Sequence, residues 1–280
     1  MRIGIAGGVY TNPENGEMDL AAIVDHGYDC IDLDLCDTAK QVYTLSEEDF
    51  VLYMQELGQN IRNSGLRVSQ VHGPWPTDDK SEQSRAEKLV YMQRAVRATA
   101  LVESPYMVVH PVMPFGWSGG EDAEMALAMN IEFFRELCDY AAPYGVGICV
   151  ENMPFLEQRI STVDRIVELV QLVNRPNFHI CLDTGHANVF RHNCGDMVRL
   201  CGKYLKVLHV HDNCGKRDSH CIPFDGTVDW NGFTAALKEI GFDGVMSLET
   251  KVRRDYPEGM REETLQHLAR IARSLANQCK

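Results

Sequence analysis

Six short apolar runs of this chain end in a residue able to hold a divalent cation or move a proton. They are VSQVH ending at His72, YMVVH at His110, GICVE at Glu151, HICLD at Asp183, VLHVH at His211 and VMSLE at Glu249. One polar residue after an apolar run is ordinary. Six of this restricted kind ask for a common cause, and a parallel barrel supplies one, because the carboxyl ends of its strands share a single mouth.

Strand side chains alternate, so Gly147, Cys149 and Glu151 share a face, as do His179, Cys181 and Asp183 and, in the next run, His209 and His211. Glu151, Asp183, His211 and Glu249 brought together without a cation would repel and shift one another's ionisation. Three carboxylates and one imidazole make an O3N set suited to Mn²⁺, Mg²⁺, Co²⁺ or Zn²⁺. Local motifs add to it. In LDTGH the acid and the histidine of Asp183 and His186 flank a tight turn with Gly185. In HDNCGKRDSH, Asp218 and His220 form an Asp-x-His pair that fits either a second metal clip or a solvated loop. In ENMPFLE, Pro154 breaks the chain and Glu157 can return over the pocket.

Eight strands are expected to carry these residues: Arg2–Gly7, Cys30–Leu35, Arg67–His72, Tyr106–His110, Gly147–Glu151, His179–Asp183, Lys206–His211 and Gly244–Glu249. Helical patterns fall between them at Leu20–His26, Ser46–Ser64, Ser81–Leu101, Asp122–Tyr144, Val163–Val173, Asp196–Tyr204, Trp230–Ile240 and Glu258–Leu275. N-cap serines stand before two of them, at Ser46 and Ser161. Continuous apolar strands alternating with amphipathic helices call for a parallel sheet covered by helices. Eight units in this length favour an α/β fold of the (β/α)8 TIM-barrel type, one domain over residues 1–280. No GxGxxG follows the first strand, which argues against an open dinucleotide-binding sheet, and no organic cofactor is expected.

Composition fits a globular enzyme, with 45% hydrophobic and 24% charged residues. A formal charge of −13 argues against a nucleic-acid partner. No apolar run of membrane-spanning length occurs, and the start of the chain reads as a strand rather than a signal peptide. Ten scattered cysteines with no CxxC pair are expected to be reduced, in a cytoplasmic protein.

Taken together, VHGPW, VVHP, VENMP, CLDTGH, HVHDN…DSH…GTVDW and SLET, in this order at strand ends, resemble the xylose isomerase-like TIM-barrel superfamily over nearly the whole chain. That group holds sugar isomerases and epimerases and the endonuclease IV-type enzymes. Resemblance to the ketose 3-epimerases implies a cation on Glu151, Asp183, His211 and Glu249, and substrate contacts at Glu157, His186 and Arg217. His72 and His110 are further expected substrate contacts. Resemblance to endonuclease IV implies instead a multinuclear zinc site that would add His72, His110, His186, Asp218 and His220.

The favoured reading is a metal-dependent sugar or sugar phosphate isomerase or epimerase. A cation bridging adjacent oxygens would stabilise a cis-enediolate, with Glu151 and Glu249 as base and acid. A zinc phosphodiesterase, a lyase or dehydratase acting on a keto-polyol, and a barrel that binds without turnover stay open beside it. Trp75, Trp117 and Phe155 fall in loops over the mouth, where they could stack on a sugar ring or cap the core. Asp32 and Asp34 alternate with apolar neighbours on the second strand. Pro223-Phe224-Asp225-Gly226 stands where relatives carry Pro-Gly-x-Gly. The lost glycine and the added acid favour an unphosphorylated sugar or polyol. The resemblance also implies homo-oligomers.

Overall fold

The computed structural model describes residues 1–77, 80–118, 120, 122–257 and 259–280. Eight parallel strands form the sheet: β1 (Arg2–Ala6), β2 (Cys30–Asp34), β3 (Arg67–His72), β4 (Tyr106–Val109), β5 (Gly147–Glu151), β6 (Phe178–Asp183), β7 (Leu205–His209) and β8 (Val245–Leu248). Each pairs with its sequence neighbour, and β1 pairs with β8. β7 and β8 meet at the bridge Val210–Leu248, where the Val210 N–H donates to the Ser247 carbonyl at 2.9 Å. The fold is the expected (β/α)8 TIM barrel.

Helices fill the crossovers: α1 (Leu20–Asp25), α2 (Gln41–Thr44), α3 (Glu47–Asn63), α4 (Glu82–Leu101), α5 (Ala123–Ala141), α6 (Val163–Val173), α7 (Thr184–Val189), α8 (Cys194–Cys201), α9 (Trp230–Glu239) and α10 (Met260–Gln278). The expected start of the last helix at Glu258 lies outside the described residues. Ser46 caps α3 as anticipated, accepting from the Asp49 N–H. α6 has the expected bounds, but its N-cap is Thr162 rather than Ser161, and the Thr162 side chain makes no cap bond. α2 and α7 are short and were not foreseen; six residues seldom show a helical period.

Alternation splits every strand into two faces. Met107 and Val109, Ile148 and Val150, and Ile180 and Leu182 are buried in the main core with the helices. The alternate residues Val108, Cys149, Cys181 and Val207 form a separate small cluster of their own, a layer inside the barrel. Two residues further along the same faces stand His110, Glu151, Asp183 and His209.

Candidate active site

That inner layer decides which histidine of HVH joins the acids. β7 ends at His209, which is fully buried, and a register shift between β6 and β7 pairs Asp183 with His209. One ligand atom each from Glu151, Asp183, His209 and Glu249 lies within 4.8 Å of the others. His211, expected in this quartet, is replaced in it by His209. The strand ends two residues earlier than the sequence suggests, so His211 already lies in the loop. Its Nε2 still reaches Asp183 Oδ2 at 3.0 Å, but its other companions are His186, Asp218 and His220.

His209 links the acids directly. Its Nδ1 stands 3.0 Å from Glu151 Oε1 and 3.2 Å from Glu249 Oε2. Glu151 is the hub, with His110 Nε2 at 3.2 Å, His72 Nε2 at 3.6 Å and His186 Nδ1 at 3.4 Å. His72, His110 and Glu151 thus form a second group of potential ligands. A third comprises His186, His211, Asp218 and His220. There, His186 and His220 each donate Nδ1–H to a backbone carbonyl, of Asn152 at 2.8 Å and of Glu249 at 2.7 Å. Each therefore turns Nε2 toward Asp218, at 3.5 Å and 2.8 Å. Such outer hydrogen bonds orient an imidazole for a metal.

Protonation follows the crowding. Burial alone would lower His186, yet Asp183, Asp218 and Glu151 hold it up at about 10. His110 falls to about 4, because burial outweighs its contact with Glu151. Glu151 is driven well below the carboxylate range by His209, His110 and His72, against the pull of burial. Glu249, by contrast, is raised, first by burial and then by Glu151 and Asp183.

The residues present fit a cation. Glu151 Oε2, Glu249 Oε2 and Asp218 Oδ1 are buried with histidine nitrogens at 3.2–3.7 Å but no well-formed hydrogen bond, an arrangement that a cation would complete. Hard oxygens with imidazole nitrogen at these separations match the ligand preferences of Mn²⁺, Co²⁺ or Zn²⁺.

Two expected substrate contacts stand away from the clusters. Glu157 is exposed in the turn after β5, and Arg217 is exposed in the loop after His211. Trp75, Trp117 and Phe155 converge instead. Their ring planes lie within 13° of one another and their centroids 5.4–6.3 Å apart, and Trp75 packs edge-on to His110 at 4.5 Å. The loop Pro223–Gly226 folds onto Asp212, whose carboxylate accepts from the Phe224 and Val228 N–H groups. A cavity of about 740 Å³ lies at the opposite end of the barrel, among Arg2, Arg67, Lys206 and Val245 at strand starts.

Sequence reasoning passed over His209 as a ligand and left Asp32, Gln70 and Cys36 unassigned. Asp32 Oδ2 meets His209 Nε2 at 2.9 Å, and Cys36 Sγ meets His72 Nδ1 at 3.0 Å. Alternation gave no signal for His209 over His211, since both lie on the same face as Val207; the pairing of Asp183 with His209 is what selects it.

Among known proteins, inosose isomerase of Bacillus licheniformis is 26% identical over 194 residues, 67% of this chain and 68% of that protein. A solved D-tagatose 3-epimerase-like protein superimposes with a TM-score of 0.76 at 26% identity, covering 99% of this chain and 100% of that one. The IOLI protein with a binding zinc atom gives 0.80 at 21% identity, over 100% and 99% of the two chains. Homologues of this chain are therefore sugar isomerases and epimerases. The family described as "Xylose isomerase-like TIM barrel" matches residues 20–271, and the chain belongs to it.

Proposed function

We propose that the protein is a divalent-metal-dependent isomerase or epimerase of a small polyhydroxylated carbonyl compound, a ketose or a cyclic polyol ketone. The observation that carries this is the convergence of Glu151, Asp183, His209 and Glu249 at the carboxyl end of the barrel. These four residues would hold the cation. When bound, it would polarise neighbouring carbonyl and hydroxyl oxygens of the substrate and so acidify the carbon-bound hydrogen between them.

The chain's own groups supply the rest. Glu151 and Glu249 come from β5 and from the residue after β8, on different sides of the mouth, so one can take the hydrogen and the other return it. His110 turns Nε2 to the same centre, His186 stands beside it with Nε2 toward Asp218, and the side chains of Trp75, Trp117 and Phe155 offer an apolar surface to the C–H face of a ring. Glu157 and Arg217 would reach a substrate only across the rim, which makes them weaker candidates than the aromatic wall. The Phe224 and Val228 N–H groups, which a phosphate would need, are already taken by Asp212, and this supports an unphosphorylated substrate.

Incubating the metal-loaded protein with inososes and ketohexoses in deuterated water tests the reading. Incorporation of solvent deuterium at carbon next to the carbonyl is expected. No exchange across the panel would count against it.

A second reading has its own support. The groups His72–His110–Glu151 and His186–His211–Asp218–His220 could hold further cations beside the first, as a metallo-phosphodiesterase or lyase would require. Elemental analysis separates the two: one metal per chain supports the isomerase, and two or three zinc ions with phosphodiester cleavage support the alternative.

A further inference from the structure

The side chain beneath the centre has no role in the scheme above. Asp32 lies on β2 and is 3% exposed, yet it reaches a histidine on β7, a strand that it does not neighbour in the sheet. Its Oδ2 stands 2.9 Å from His209 Nε2 and also accepts from Gln70 Nε2 at 3.0 Å. Gln70 is 1% exposed, and the same amide nitrogen donates to the Leu208 carbonyl at 3.4 Å, which fixes which end of the amide faces Asp32.

We infer that Asp32, held by Gln70, is a positioning residue for the metal ligand His209: it keeps the hydrogen on Nε2 and leaves the Nδ1 lone pair for the cation. The inference rests on the metal-site reading given above. A neutral imidazole carries one N–H, and either nitrogen can bear it. An ionised carboxylate only accepts, so with Asp32 at Nε2 the hydrogen belongs there. Nδ1 is the nitrogen that faces Glu151 and Glu249. The carboxylate also makes the imidazole a stronger electron donor, as outer partners of metal-bound histidines do. Gln70 adds direction: an Asp32 side chain free to turn would lose the in-line approach to the ring.

Cobalt titration of chelator-treated protein tests this without any substrate. Replacing Asp32 by Ala should weaken Co²⁺ binding about 10–100-fold and change the visible absorption of the bound ion. Asp32→Asn keeps an acceptor oxygen and should recover most of the affinity and the wild-type spectrum. A purely structural Asp32 would lower the unfolding midpoint but leave the spectrum of each bound cobalt unchanged, and that result overturns the inference. His209→Ala separates the two levels of argument. If it too binds cobalt like wild type, the metal-site reading falls and this inference with it. If only Asp32→Ala is silent, the positioning role alone falls. Should Asp32→Ala fail to fold, long-range ¹⁵N–¹H spectra of zinc-loaded wild type decide: hydrogen on Nε2 of His209 supports the inference, and hydrogen on Nδ1 overturns it.

Discussion

His220 donates its Nδ1 hydrogen to the backbone carbonyl of Glu249, 2.7 Å away, and so ties the long loop after β7 to the end of β8. The same ring turns Nε2 to Asp218 from a left-handed backbone conformation, φ 47°, that a non-glycine residue adopts at a cost of about 1–3 kcal/mol. Strain of this kind persists where the surroundings demand it. If the His186–Asp218–His220 group holds a cation, His220→Ala should remove one metal per chain and leave the cation of the Glu151 quartet in place. Elemental analysis of the variant against wild type checks it; an unchanged content would leave this loop as a hydrogen-bonded clasp.

Gly185 is the hinge of the LDTGH motif, and its hydrogen occupies the space against the His211 ring. A Cβ built there would lie 1.9 Å from His211 Cε1. The ring cannot give way freely, because Thr184 Oγ1 binds both the carbonyl and the N–H of His211 at 2.7 and 3.0 Å. Gly185→Ala should therefore displace His211 and break its 3.0 Å contact with Asp183. The expected result is a loss of about 2 kcal/mol or more in urea unfolding together with reduced metal content.

Much of the fold was legible because buried strands of a barrel are short, apolar and regularly spaced; β3 and β5 match the expected bounds residue for residue. The site was legible one strand end at a time. Glu151, Asp183 and Glu249 could be read because each is the first acid after its run. The choice between His209 and His211 was not readable, since both satisfy alternation and only the β6–β7 register settles which is level with Asp183. Loop geometry was least legible. Glu157 and Arg217 were placed by the resemblance, and a loop side chain answers to packing that spacing does not encode.

Trp117 is 39% exposed at the edge of the aromatic group, while Trp75 carries the contact with His110. A ring that stacks on the C–H face of a substrate contributes binding rather than proton transfer. Trp117→Ala should raise KM by about 5–12-fold with kcat nearly unchanged, the loss of roughly 1–1.5 kcal/mol of stacking. Steady-state kinetics on the ketone that exchanges deuterium measures it, and a fall in kcat alone would contradict the assignment.

Asp34, at the end of β2, gives a prediction in pH. Burial pulls its carboxyl up, but Lys40 at 2.9 Å and the Cys36 N–H outweigh that and hold it at about 2. A depressed carboxyl binds fewer protons folded than unfolded. Its stabilisation is therefore complete above its unfolded value near 3.8 and drains away as pH falls toward 2. Asp34→Asn should lower stability at pH 6 and flatten the acid limb between about pH 4 and 2, where wild type is still losing the contribution of this group. Urea midpoints at pH 6, 4 and 3 test it; parallel curves for the two proteins would refute it.

Asp212 is fully buried at the root of the same loop and gathers four donors: the N–H groups of Asn213, Phe224 and Val228 and the indole Nε1–H of Trp230. Trp230 opens α9, so one carboxylate joins the end of β7, the loop and the next helix. Gly226 has to pass close by, since a Cβ there would meet Asp212 Oδ1 at 2.1 Å. Removing the carboxylate strands several buried donors at once, and Asp212→Ala should cost about 3–5 kcal/mol in denaturant unfolding. Asp212→Asn keeps one acceptor but turns an amide toward the remaining N–H groups, so its loss should fall between wild type and Ala. The loop it anchors also presents Asp218 and His220, so if that group holds a cation, both variants should release it before any from the quartet. Loss in the reverse order would mean that Asp212 supports β7 and His209 rather than the loop.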